Sequence, residues 1–335
     1  MRLVYCFSLL LLLSGCSMTV VKPEKINGVS FVASRDAINE QHVQPVVEIN
    51  ANYAAIMPFG FIRNLEHPEI VFNTDRQWFG ETRQGAEQYI EELRKKNIKI
   101  MLKPQIWVWR GAFTGYIEMP DEAHWNQLEE AYTSFIMEYA ALAQETKVEI
   151  FCIGTELEKF IENRPEYWNT LIDKIKAVYK GQLTYAANWD EFKRTPFWEQ
   201  LDYIGVDAYF PVSDSQTPTV EECKQGWVVH KPIIESLSRT YKKPILFTEF
   251  GYRSVDFAGK EPWKADRSMD QVNLEAQTNT TKALFEEFWH ESWFSGGFIW
   301  KWYHNDERSG GENNSRFTPQ NKPVESVISE TYLNH

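Results

Sequence analysis

Eight short apolar runs, each followed by a helical or irregular stretch, recur along the whole chain, and this alternation constrains the fold more than any other feature. The runs are 27–32, 52–58, 99–106 and 148–155, then 183–187, 203–208, 244–248 and 297–300. Segments 83–96 and 121–146 carry apolar residues at three- and four-residue spacing, as a helix with one buried face requires. The plainest case is 165–180, where Trp168, Leu171, Ile172, Ile175, Val178 and Tyr179 form one stripe. Pro165 suits its first helical position, and Gly181 suits its C-terminal cap. Segments 220–241 and 271–293 also read as helices, the former interrupted at Pro232, and 324–332 closes the chain. Strand alternating with helix means parallel strands joined by crossovers. Eight units in 335 residues fit a closed (β/α)8 TIM barrel better than an open doubly wound sheet. The open sheet would carry a glycine-rich phosphate turn after its first strand, and Gly28-Val29-Ser30 is not one. No composition break marks a second domain, so 26–335 is expected to be a single α/β unit.

The chain holds 35 basic and 47 acidic side chains, a formal charge of −12, which argues against a nucleic-acid partner. Its 13 Trp and 15% aromatic content fit either a flat-faced ligand surface or a large core. The first residues are a separate matter. Arg2 precedes an apolar run from Leu3 to Leu13, about 11 residues, too short to span a bilayer and right for a signal peptide. It ends in Leu13-Ser14-Gly15-Cys16, which resembles the lipobox of bacterial lipoproteins. That resemblance implies removal of residues 1–15, lipidation of Cys16, a tether over 16–25 and a protein anchored to the bacterial cell envelope without spanning it. Ser17-Met18-Thr19 contains no aspartate of the inner-membrane-retention kind, which favours the outer membrane. Cys152 and Cys223 then remain in the folded part, with no CxxC and no Cys/His cluster to suggest a metal or redox centre.

In a barrel of this kind the chemistry sits at the C-terminal ends of the strands. The fourth run ends Ile153-Gly154-Thr155-Glu156 and the seventh Phe247-Thr248-Glu249-Phe250-Gly251, so two carboxylates leave an apolar wall on roughly opposite sides of the ring. Such a pair suits acid-assisted cleavage of a glycosidic bond, one group giving a proton to the leaving oxygen and the other stabilising or attacking the anomeric carbon. The plainer reading makes each Glu a helix cap or the partner of a barrel cation. The residues alone leave open which carboxylate has which role.

These two motifs, with Tyr252 and the terminal Phe317-Thr318-Pro319-Gln320-Asn321-Lys322-Pro323, resemble glycoside hydrolase family 113, of the retaining (β/α)8 clan, whose known members are mainly β-mannanases. The resemblance implies that Glu156 is the acid/base and Glu249 the nucleophile. Where most clan members carry Asn before the acid/base to hold the sugar 2-hydroxyl, this chain has Thr155, a shorter donor. In the clan a Tyr at the end of the sixth strand commonly hydrogen-bonds the nucleophile, a place that Tyr209 of Val206-Asp207-Ala208-Tyr209 could take; Asp207 stands as a further substrate group. At the eighth strand the clan often places an aromatic against the sugar, which makes Trp300 the first choice and Trp302, of the same strand parity, the alternative.

Trp107 after the third strand and Asn188 and Trp189 after the fifth are candidate distal sugar contacts. Lys103 and Gln105 share barrel-facing parity with Trp107, as fillers or as substrate contacts, and Cys152 shares parity with Glu156 as a small interior group. Glu158 reads as a solvated or capping carboxylate, Arg253 as a loop bridge or a charge beside Glu249, and His304 as a group that could touch substrate. The chain has no HExxH, no Walker loop and no GxSxG, so no metal and no cofactor are expected. The expectation is a retaining endo-β-1,4-mannanase acting on a polysaccharide or oligosaccharide. The alternatives are a non-catalytic glycan-binding lipoprotein, or the same chemistry on β-glucan or an amino-sugar polymer.

Overall fold

A computed structural model describes residues 24–264 and 271–335. The lipobox and Cys16 lie outside the described residues. The chain is already docked at Lys25, which is buried and donates from Nζ to the carbonyls of Glu291 and Phe294. The strands are β1 (Ile26–Phe31), β2 (Tyr53–Ile56), β3 (Phe59–Ile62), β4 (Lys99–Leu102), β5 (Gln105–Val108), β6 (Ile150–Thr155), β7 (Gln182–Asn188), β8 (Ile204–Asp207), β9 (Ile245–Phe250) and β10 (Phe294–Trp302). Eight of them close into an all-parallel barrel in the order β1-β2-β4-β6-β7-β8-β9-β10, the (β/α)8 ring that the alternation calls for.

The other two strands were not anticipated. β3 and β5 pair in parallel above β2 and β4, as a two-stranded sheet at the barrel mouth. Pro58 and Pro104 separate the two levels, because proline has no N–H for the ladder. The chain still climbs in register across the break: Lys103 N–H donates to the Ile56 carbonyl and Gln105 N–H to that of Pro58.

The helices among the described residues are α1 (Glu40–Glu48), α2 (Arg83–Arg94), α3 (Glu122–Glu145), α4 (Glu158–Asn163), α5 (Pro165–Val178), α6 (Val220–Trp227), α7 (Lys231–Tyr241), α8 (Leu274–Phe288) and α9 (Pro323–Asn334). Their ends follow local chemistry: Thr82 and Asp121 cap α2 and α3 through side-chain oxygens, and Pro165 opens α5. The helical pattern over 220–241 divides into α6 and α7, with Pro232 in the first turn of the second. Both α1, with Pro45 inside it, and the short α4 carry patterns too brief to read. In α5 the stripe is buried through Trp168, Leu171, Ile172 and Ile175, but Val178, the last helical residue, is 37% exposed.

Two apolar layers hold the molecule together. Met101, Ile150, Cys152, Ala186, Leu246 and Phe298 fill the barrel interior, and a larger, aromatic-rich layer lies between the strands and the helices. Cys152 and Cys223 are buried free thiols. Close approach is built in at Gly205 of β8, where a Cβ would stand 2.1 Å from the Tyr185 carbonyl oxygen of β7. No helix among the described residues is long and apolar enough to cross a membrane.

Candidate active site

Glu156 and Glu249 meet in one pocket of about 210 Å³ at the C-terminal end of the barrel, lined also by Gln105, Trp107, Thr155 and Trp300. Three bulges aim the side chains there. On β6, three residues from Cys152 to Thr155 face only two on β7. On β9, Phe247 to Glu249 faces a single step on β8. On β10, three residues from Ile299 to Trp302 face two on β1. An extra residue in one strand turns the following side chains to the other face. Glu249, next in sequence to the inward-facing Thr248, thereby also points inward.

Glu249 is buried and surrounded by donors. Tyr209 donates to Oε2 at 2.7 Å; Lys103 at 2.5 Å and Gln105 at 3.1 Å donate to Oε1. All three donate to the carboxyl, and its direction is set by a phenol from the end of β8 and by an ammonium and an amide that flank Pro104 between β4 and β5. Glu156 differs. It is half-buried, has a left-handed backbone at φ 49°, and no described residue hydrogen-bonds its carboxyl. Burial, with the negative charges of Asp207 and Glu249, pushes its pKa well above the ordinary range, which favours its protonated form. Burial would lower the Lys103 pKa, but the charges of Asp207 and Glu249 outweigh it and raise it. Beside Glu156, Thr155 leaves its Oγ1 buried without a partner among the described residues.

Several expected contacts are corrected. Asp207 is wholly buried beneath the pocket, where Oδ1 accepts from Thr248 at 2.7 Å and faces the Lys103 Nζ at 3.4 Å. It pairs with Lys103 beneath Glu249 and does not line the pocket, and burial together with the like charge of Glu249 pushes its pKa up to about 7. Trp302 is also fully buried: the β10 bulge gives it the face opposite to Trp300, into the layer under the helices. Asn188 and Trp189 do not border this pocket. The Asn188 side chain accepts from the Trp189 N–H at 2.8 Å as the chain leaves β7, and Trp189 stacks on Trp263 at 5.0 Å. His304 packs edge-on against His42, and the Arg253 Nε donates to the Ser315 carbonyl, joining loops. Glu158 opens α4 and pairs with Arg194.

Trp107 is placed at the rim, 49% exposed, where it also borders a groove of about 700 Å³ that carries Trp78 and Trp109. Lys103 and Gln105, left undecided between filler and contact, turn out to hold Glu249. The signal available in sequence was a lysine on an apolar strand, which a barrel interior tolerates only if it is paired. Among the described residues no group of His, Cys, Asp and Glu gathers as a metal site.

Comparison with known proteins identifies the family and the fold. The family model described as Glycoside Hydrolase Family 113 matches residues 33–322. A GH113 β-mannanase from Alicyclobacillus acidocaldarius superposes with a TM-score of 0.81 at 22% identity, over 93% of this chain and 98% of that one. A second GH113 β-1,4-mannanase gives 0.81 and 22%, over 93% and 100%. A β-glucuronidase from Faecalibacterium prausnitzii shares the barrel more distantly, at 0.63 and 14% over 93% of this chain and 49% of that one. No curated protein sequence matches the chain.

Proposed function

Because the chain belongs to glycoside hydrolase family 113, and is therefore a glycoside hydrolase, we propose that it is a retaining endo-β-1,4-mannanase with Glu249 as nucleophile and Glu156 as acid/base. The observation that carries the assignment is the contrast between the two carboxyls. Glu249 receives three donors, whereas Glu156 is kept protonated by burial and like charge and has its proton free for the substrate. Glu249 attacks the anomeric carbon as Glu156 protonates the leaving oxygen, forming a glycosyl–enzyme ester. Glu156, now a base, takes a proton from water, whose oxygen displaces Glu249 and restores both groups.

Trp300 offers its face to the sugar at the cut, and Thr155 offers a hydroxyl. Trp107 borders both this pocket and the groove bearing Trp78 and Trp109, an arrangement that suits a polymer bound along its length and supports endo action. Mannan is preferred over β-glucan or amino-sugar polymers because the superposed GH113 structures are described as mannanases. The lipobox supports a mature protein anchored through Cys16 to the outer membrane.

Rapid ¹H NMR of the first product tests the mechanism: retained anomeric configuration is expected, and inversion overturns it. A panel of mannan, glucan and chitosan oligomers tests the substrate. Binding without release of reducing ends would favour a non-catalytic glycan-binding protein.

A further inference from the structure

Directly behind the acid/base lies a buried hydrogen-bond chain that does not border the pocket. Glu156 is a non-glycine residue in the left-handed region, a conformation that persists only where the surroundings impose it. Two backbone donors are tied down there. The Glu156 N–H donates to the Ala186 carbonyl at 2.8 Å, and the Leu157 N–H donates to the Tyr185 hydroxyl at 2.7 Å. Tyr185 in turn donates to Glu191 Oε1 at 2.8 Å, and Glu191 Oε2 accepts the Asn188 N–H at 3.1 Å. Tyr185 is fully buried, its ring held by Trp168, Phe197 and Trp198, and Glu191 is 2% exposed. A carboxyl this deep is costly unless its hydrogen bonds are satisfied, and here the phenol and the loop amide each bond one of its oxygens.

We infer that Tyr185 and Glu191 are positioning residues for the acid/base: through the Leu157 N–H they hold Glu156 at the angle from which it protonates the leaving oxygen. The inference rests on the reading of Glu156 as the acid/base.

The experiment compares the full chain with Tyr185→Phe and Glu191→Gln on a mannan oligosaccharide, whose cleavage needs the acid, and on a dinitrophenyl mannoside, whose leaving group does not. Expected are an unchanged KM, a kcat on the oligosaccharide lower by about 10–100-fold, and near-normal formation of the glycosyl–enzyme from the activated substrate. Equal losses on both substrates, or no loss on either, would overturn the inference while leaving the hydrolase intact. A wild-type chain inactive on both overturns the underlying reading, and the inference with it. Should Glu191→Gln fail to fold, Tyr185→Phe keeps the ring, removes one oxygen and carries the leaving-group comparison by itself.

Discussion

Around Glu249, one phenol, one ammonium and one amide converge on a single carboxyl, the phenol from one side of the ring and the other two from the segment around Pro104. Tyr209 reaches Oε2 alone, so removing its hydroxyl leaves that oxygen without a donor but takes nothing from the packing of the ring. Tyr209→Phe is expected to lower kcat by about 10²-fold with the melting temperature nearly unchanged. Steady-state kinetics beside a thermal melt would check this. Lys103 is different, because it is the cation set between Asp207 and Glu249 with no exposed surface. Lys103→Met leaves two buried carboxylates uncompensated and should cost about 3–5 kcal/mol of stability as well as activity, measurable by denaturant titration. The two substitutions separate direction from charge.

At the scale of the element, the bulges decide which side chains reach the substrate. The β10 bulge gives two tryptophans of equal sequence parity opposite fates, with Trp300 in the pocket and Trp302 in the core. Trp300→Ala is expected to raise KM while keeping the fold, whereas Trp302→Ala should cost about 3–5 kcal/mol by opening a cavity. Reversal of that pattern in kinetics and melts would contradict the assignment. Parity was a sound guide where it gave Lys103 and Gln105 one face, and Cys152 lies inside the barrel as expected although the parity linking it to Glu156 crosses the β6 bulge. It failed at Trp302, because an inserted residue depends on pairing with a neighbour that is distant in sequence. The same limit hid β3 and β5, whose four-residue segments are strands only because they lie beside each other.

Across the whole molecule, burial raises the pKa of buried carboxyls: Asp207 is pushed up to about 7 and Glu191 to about 8. Their unfolded counterparts lose the proton near pH 4, so the folded chain binds more protons between about pH 4 and 8. The stability from these groups is complete below the unfolded pKa and is lost as pH rises through the folded one. The melting temperature should therefore fall between pH 5.5 and about 8.5, and Glu191→Gln should flatten that slope. A melting temperature that climbs over this interval would refute it. At the other end of the chain, Cys16→Ser is expected to abolish lipid labelling and release the protein from the membrane fraction, as fractionation of expressing cells would show.

The barrel was readable from the chain because strand and helix periodicities are local, and eight alternations leave few ways to bury eight apolar strands. The two glutamates were readable because strand ends can be located from the same pattern and a carboxylate there stands out against its apolar run. What each glutamate touches was not, since the partners lie far away in sequence: Lys103 is 146 residues from Glu249, and Tyr185 meets Leu157 across 28. Those contacts, the inward turn of Glu249 at its bulge and the burial of Trp302 and Asp207 were settled only when the ring closed, because closure alone fixes which strand ends face each other and how much water remains between them.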